Sequence, residues 1–194
     1  IFHPLKRLNS ASYTERCVEQ AVRCGIALYA AHTNLDSTPE GMSWRVGHML
    51  GLESMRVLEP AAAGGGAGFG VVGELPTEEP TEEFIRHVMR RFGVQALRHG
   101  DIVRPTVRRV AICTGAGGSL IDEALAAEAD IYLTADLRYN DFMRHEGRMI
   151  LVDMGHFESE YCAIEILFDI LSKKLPIFAI RKSVRSRNPV NYMV

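Results

Sequence analysis

The sequence has no paired cysteines, no long apolar run and no surplus of one charge, and each absence removes a class of protein. Its four cysteines, Cys17, Cys24, Cys113 and Cys162, show no Cys-x-x-Cys spacing. That pattern speaks against a zinc ribbon or a disulfide framework, and predicts buried free thiols in a reducing compartment. No apolar stretch approaches the ~20 residues that a membrane span needs, and no signal-peptide pattern is visible. The expectation is a cytoplasmic protein with no membrane partner. With 22 basic and 24 acidic residues the net charge is −2, which argues against a general binder of nucleic acid or of membrane surfaces. The one basic run, Lys182, Arg185 and Arg187, reads as a solvated terminal segment before it reads as an anion site. The chain also lacks an initiating methionine, and an upstream segment is expected to be missing from it.

What is present is an ordinary globular composition, 47% hydrophobic and 24% charged over 194 residues. A chain of this size typically buries about 70% of its unfolded surface, so a core needs no covalent staples. Helical and strand-like patterns alternate, which predicts an α/β fold. Helices are expected at Ser10 to Arg23, Met42 to Leu50, Thr81 to Arg91, Ser119 to Glu128, Leu137 to His145 and, longest, His156 to Lys174. Strands are expected at Ile26 to Ala31, Phe69 to Leu75, Val94 to Leu97, Val107 to Cys113, Ile131 to Thr134, Met149 to Val152 and Ile177 to Arg181. Residues 61–70 are rich in Gly and Ala and predict a connector.

In an α/β fold, working groups gather beyond the carboxyl ends of the strands. His32, Asp36, Gly115, Asp136 and His156 all follow predicted strands. His156 and Glu160 are separated by one helical turn, so an imidazole and a carboxylate share a face. Such pairs are often solvated surface pairs, but this one opens an apolar helix directly behind a buried strand, which favours a metal-ligand reading. Glu158 is expected to point away, and Asp153 is a candidate for holding the second ring nitrogen of His156. Asp36 is either a third ligand or a turn residue before Ser-Thr-Pro. His32 lies in the same predicted loop and is a candidate proton carrier. The turn Thr114-Gly115-Ala116-Gly117-Gly118-Ser119 could seat an anion on its amides or be a tight strand–helix connection capped by Ser119. Asp136 could cap a helix starting at Leu137 or touch a substrate.

Taken together these segments resemble the Nif-three-like dinuclear metal-centre family, the type-two GTP cyclohydrolase homologues. Ile1 to Lys6 is similar to the stretch just after that family's His-His-Pro-Leu motif. His32-Thr33-Asn34-Leu35-Asp36 is similar to its His-Thr-x-x-Asp motif, and the Gly115 turn, Thr134 to Leu137, Gly155 to Glu160 and Asn188-Pro189-Val190 follow in the family's order. The resemblance implies a two-lobed mixed-sheet α/β subunit, here one domain over 1–194 lacking its N-terminal segment, with no room for the domain that longer relatives insert. It implies two divalent ions held by Asp36, His156 and a bridging Glu160, with further ligands in a His-His pair ahead of Ile1. Mixed nitrogen and oxygen donors admit zinc, iron, manganese or nickel. It implies a ring-shaped homohexamer, and a metal-dependent hydrolase acting on a nucleotide or another phosphate-bearing small molecule. On that view His32 serves catalysis, while Gly115, Gly117, Gly118, Ser119 and Asp136 meet the substrate. Asn140 stands where relatives often carry a titratable His, which leaves a non-catalytic metal-binding adaptor or chaperone as the alternative.

Overall fold

The computed structural model describes residues 4–62 and 64–193, so the resemblance carried by Ile1 to His3 lies outside the described residues. The chain divides into two compact units, 1–34 and 35–194. In the first unit, helix α1 (Tyr13–Arg23) begins where Ser12 Oγ accepts from the Glu15 amide, and its last turn hands over at Cys24. The run Ile26 to Ala30 is a correction to the expected buried strand. It forms no strand, and Ile26, Leu28 and Tyr29 are exposed. An apolar run predicts burial only when a sheet accepts its backbone groups.

The second unit is built on one mixed sheet of β1 (Glu53–Pro60), β2 (Gly68–Pro80), β3 (Arg98–His99), β4 (Thr106–Ala116), β5 (Ile131–Ala135) and β6 (Ile150–Asp153). Their spatial order is β1-β2-β4-β5-β6-β3, with parallel pairing of β4 to β5 and of β5 to β6 and antiparallel pairing elsewhere. Every residue of β5 and of β6 is buried. This explains why these segments read as continuous apolar runs: parallel strands are covered on both faces.

Alternate residues serve two cores. Val110, Ile112, Ile131, Leu133, Ile150 and Val152 pack on one face against α3 (Met42–Met49) and α4 (Thr81–Phe92). Ala111, Tyr132 and Leu151 pack on the other against α5 (Ile121–Ala126). Phe84, Ile85 and Val88 of α4 face the first core, and Gly93, at φ 65, ends the helix as the sequence predicts.

Several expected elements change. Strand β1 was invisible in the sequence because it is an edge strand with Leu58 alone buried among its eight residues. Val94 to Leu97 forms no strand, and the pairing begins only at Arg98. Leu137 to His145 is not an α-helix but a 3-10 helix over Tyr139–His145. The long helix from His156 is two, α6 (His156–Glu160) and α7 (Ala163–Lys174). No Gly or Pro breaks it; the ladder tightens, with the Ile164 amide donating to the Tyr161 carbonyl. Ile177 to Arg181 forms no strand, and Ile177 and Phe178 are exposed. Thr33–Asp36, expected as loop, is a single helical turn, α2. The four thiols are free as expected, but Cys17 and Cys24 are exposed rather than buried. Among the described residues no helix is long and apolar enough to cross a membrane.

Candidate functional site

The three parallel strands end side by side, and Asp153 ties the loops that leave two of them. This residue closes β6 and is only 6% exposed. Its Oδ2 accepts from the Leu137 amide at 3.0 Å and from Arg98, and its Oδ1 accepts from the Gly155 amide at 3.1 Å. The connection after β5 and the connection after β6 are therefore held by one carboxylate. Asp153 is thus not the partner of His156, as the sequence had suggested.

That partner is Asp136. It follows β5 with φ 54, an unusual left-handed conformation for a residue with a side chain. This backbone turn brings Oδ2 within 2.7 Å of His156 Nδ1. A carboxylate only accepts, so Nδ1 is the donor in this bond, and the ring's other nitrogen, Nε2, is turned toward Glu160. Nε2 lies 3.3 Å from Glu160 Oε2, which realises the one-turn pairing expected from the sequence. Burial alone would lower the basicity of His156, but the Asp136 hydrogen bond and the charges of Glu160 and Asp136 outweigh it and raise the pKa above its ordinary value. Asp136 does not cap the following helix. That start belongs to Arg138, whose amide and guanidinium both donate to Asp141.

Gly115, at φ 66, faces this pair from the end of β4. A Cβ there would overlap Glu160 Oε1 and stand 3.4 Å from His156 Cε1. The Gly115 amide donates to Ser159 Oγ at 3.0 Å, and that hydroxyl donates to the His156 carbonyl at 2.9 Å, so β4 and α6 are pinned together. The carbonyls of Gly115, Gly117 and Gly118 accept from Thr134 Oγ1, Tyr132 OH and an Arg144 guanidinium. Ser119 is exposed and makes no cap. Of this turn, it is the absent side chain at Gly115 that meets His156 and Glu160.

Asp36 is half-buried. Burial pushes the Cys113 thiol up to about 12, and the charges of Asp36 and Glu160 add to that rise. Both carboxylates therefore act on one neighbourhood, and Cys113 stays a thiol rather than a nucleophile. His32 belongs to the first unit; it is exposed, and its amide donates to Asn34 Oδ1 at 2.7 Å. Asn140 is exposed. Among the described residues no group of three or more His, Cys, Asp or Glu side chains is assembled to hold an ion. His156 Nε2 and Glu160 supply two donors of the right chemistry, one nitrogen and one carboxylate.

A cavity of about 680 Å³ opens beside these groups, lined by Asp136, His156 and Glu160 together with the aromatic residues Phe157, Tyr161 and Tyr192. Glu158 lines it too, contrary to the expectation that it points away, and accepts from Asn188 Nδ2 at 2.8 Å. Burial and the charges of Glu158 and Asp153 raise the Tyr192 phenol. Arg98 and Tyr192 escaped sequence reasoning, and Ser159 enters it only as part of the Gly155 to Glu160 motif. For Arg98 and Tyr192 there was no signal, because each comes from a segment without periodicity.

The Arg138 and Asp141 pair beside this edge has a pH signature. The Arg138 side chain, then its amide, holds the Asp141 carboxyl below its ordinary value against the effect of burial. A lowered folded pKa stabilises above the unfolded value and loses that contribution as pH falls through the folded one. We expect the stability gap between the native chain and Asp141→Asn to shrink as pH drops below about 4, measured by urea midpoints across the acid range. A gap independent of pH would show that the pairing is not electrostatic.

A protein of Lactococcus lactis named GTP cyclohydrolase 1 type 2 homolog is 32% identical over 97% of this chain and 72% of its own length. Proteins of the same name from Campylobacter jejuni and Streptomyces coelicolor are 28% and 32% identical, over 99% and 78% of this chain. The chain spans from 55% to 73% of the length of these curated relatives. Among solved structures, a Staphylococcus aureus hypothetical protein matches with a TM-score of 0.87 at 21% identity, over 100% of this chain and 77% of its own. A Bacillus cereus protein related to NIF3 matches with a TM-score of 0.87 at 20% identity, over 100% and 81%. These two likenesses establish the fold. A family model matches residues 1–189, and with the 32% identity to the Lactococcus lactis protein this shows that the chain belongs to the Duf34/NIF3 (NGG1p interacting factor 3) family.

Proposed function

We propose that this protein binds divalent metal ions through Asp36, His156 and Glu160, and that it is a metal-dependent hydrolase of a nucleotide or another phosphorylated small molecule. The observation that carries the reading is His156, oriented by Asp136 at one nitrogen and presented beside Glu160 with the other. A carboxylate on the far nitrogen is the usual way a ligand imidazole is fixed in tautomer and direction. A dinuclear centre needs donors beyond these three, as the family resemblance implies. Bound divalent ions would supply an acidified water and a clamp on the attacked group. The chain's own residues do the rest. Gly115 leaves room for Glu160, Ser159 fixes the start of α6, and the aromatic walls of the cavity exclude water from an apolar part of a substrate. The relatives' name suggests GTP, and fold alone does not fix the reaction.

Metal content after metal-supplemented purification tests the binding half. His156→Ala and Glu160→Ala are expected to retain at least ~10-fold less metal under chelator competition, since each removes a direct ligand. Turnover across a panel of nucleotides, lost in Asp36→Ala, tests the hydrolase half. Absence of metal in the native chain would overturn the proposal. The exposed amide of Asn140, which cannot titrate, favours one second reading: a metal-binding adaptor that holds the ions but turns nothing over. A homohexamer is part of either reading. The exposed apolar side chains of Leu175, Ile177 and Phe178 support assembly, and mass measurement in solution tests it.

A further inference from the structure

We infer a second binding site, for a small polyanion such as a di- or triphosphate, in an arginine-lined cavity of about 540 Å³. It lies at the amino ends of the parallel strands, whereas the His156 site lies beyond their carboxyl ends. Four guanidiniums face it, from Arg104, Arg108, Arg109 and Arg148, against three lining carboxylates, Glu74, Glu128 and Asp130. Glu146, which pairs with Arg148 at 2.6 Å, lies outside the lining.

The acids are committed in a way that leaves the arginines underused. Asp130 is spent on the fold: its Oδ2 accepts from the amides of Arg108 and Arg109, and its Oδ1 pairs with Arg104 at 2.6 Å. Glu74 is divided between Arg109 at 3.1 Å and Arg108 at 3.5 Å. Glu128, which meets Arg109 at 3.3 Å, has a side chain 83% exposed, so water weakens that pair. Each guanidinium carries five donors in a planar fork suited to phosphate oxygens. The four arginine side chains are between 38% and 59% exposed, accessible yet partly held in place. A ligand with several phosphate oxygens can bridge Arg104, Arg108 and Arg148 together, which no single carboxylate of the cavity does. A lone phosphate can span fewer of them.

The arrangement makes Glu74 a built-in competitor for the ligand, and that gives a test with opposite signs. Binding of inorganic triphosphate to the full chain is measured by calorimetry at low salt, with orthophosphate and a nucleoside triphosphate as further arms. Arg108→Ala with Arg148→Ala should weaken triphosphate binding by at least ~10-fold, the loss expected for charge-assisted contacts. Glu74→Gln should tighten it by a few-fold, because it frees two guanidiniums without removing a donor. Arg86→Ala, an exposed arginine of α4 outside the cavity, should leave it unchanged. Equal affinity for triphosphate and nucleotide identifies the phosphates as the recognised group, whereas tighter nucleotide binding that Arg108→Ala with Arg148→Ala also weakens would show that the cavity reads a base as well. No triphosphate binding, or binding unmoved by both cavity variants, would overturn the inference and leave an ion-pair network that only joins β4 to its neighbours.

Discussion

Asp153→Ala is expected to lower the unfolding free energy by about 2 to 4 kcal/mol, because the buried Leu137 amide would lose an acceptor at a typical ~1–3 kcal/mol and the half-buried Gly155 amide would lose one at a smaller cost. The amides are those of Leu137 and Gly155, on the connections that follow β5 and β6. Arg98 loses its partner as well, but its side chain is 60% exposed and water replaces the contact. For a domain whose whole stability is typically ~5–15 kcal/mol, this is a large fraction. The urea midpoint should fall with an unchanged slope, since the surface exposed on unfolding is the same. Asp153→Asn keeps one oxygen and should fall between. A native-like midpoint in the alanine variant would mean that the two connections hold their shape without the carboxylate.

Gly115→Ala is the second substitution with a large expected effect, and it separates backbone strain from crowding at the site. The φ of 66 alone costs an alanine about 1 to 2 kcal/mol. Gly93 has φ 65 with nothing within 4 Å of an added Cβ. Gly93→Ala therefore incurs the same strain without touching any functional group. Both variants should lose similar stability, but Gly115→Ala alone should displace Glu160 and, on the proposed reading, retain at least ~10-fold less metal, as expected when a supporting group around a ligand is disturbed. Metal retention equal in the two variants would show that Glu160 is not held where a ligand must be. Loss of metal in both would trace the effect to general destabilisation.

The sequence exposed what depends on local pattern. The two-faced apolar strands β5 and β6, the amphipathic α4 and its Gly93 stop, and the turn separating His156 from Glu160 all follow from periodicity and appear where expected. What it concealed depends on pairing across the fold. Asp153 and Asp136 are both acidic residues at strand ends, and nothing local says which will receive His156 Nδ1. The choice is made by the left-handed turn at Asp136 and by the two amides that occupy Asp153. Edge strand β1 was hidden for a similar reason, since its hydrogen bonds rather than its side chains define it. The run Ile26 to Ala30 shows the converse, an apolar pattern that forms no strand. The arginine cavity joins residues from β2, β4, α5 and the connections that lead into β4, β5 and β6, so no single stretch of sequence announces it.

The φ of 54 at Asp136 sets stability and chemistry against each other at one position. Glycine would relax that backbone, and a selection that rewards only heat resistance would accept it. The same exchange would delete the carboxylate that aims His156. Asparagine would tolerate the conformation yet could no longer present a charge. A directed-evolution campaign for thermostability would thus erase the site quietly, yielding a sturdier protein with its imidazole adrift.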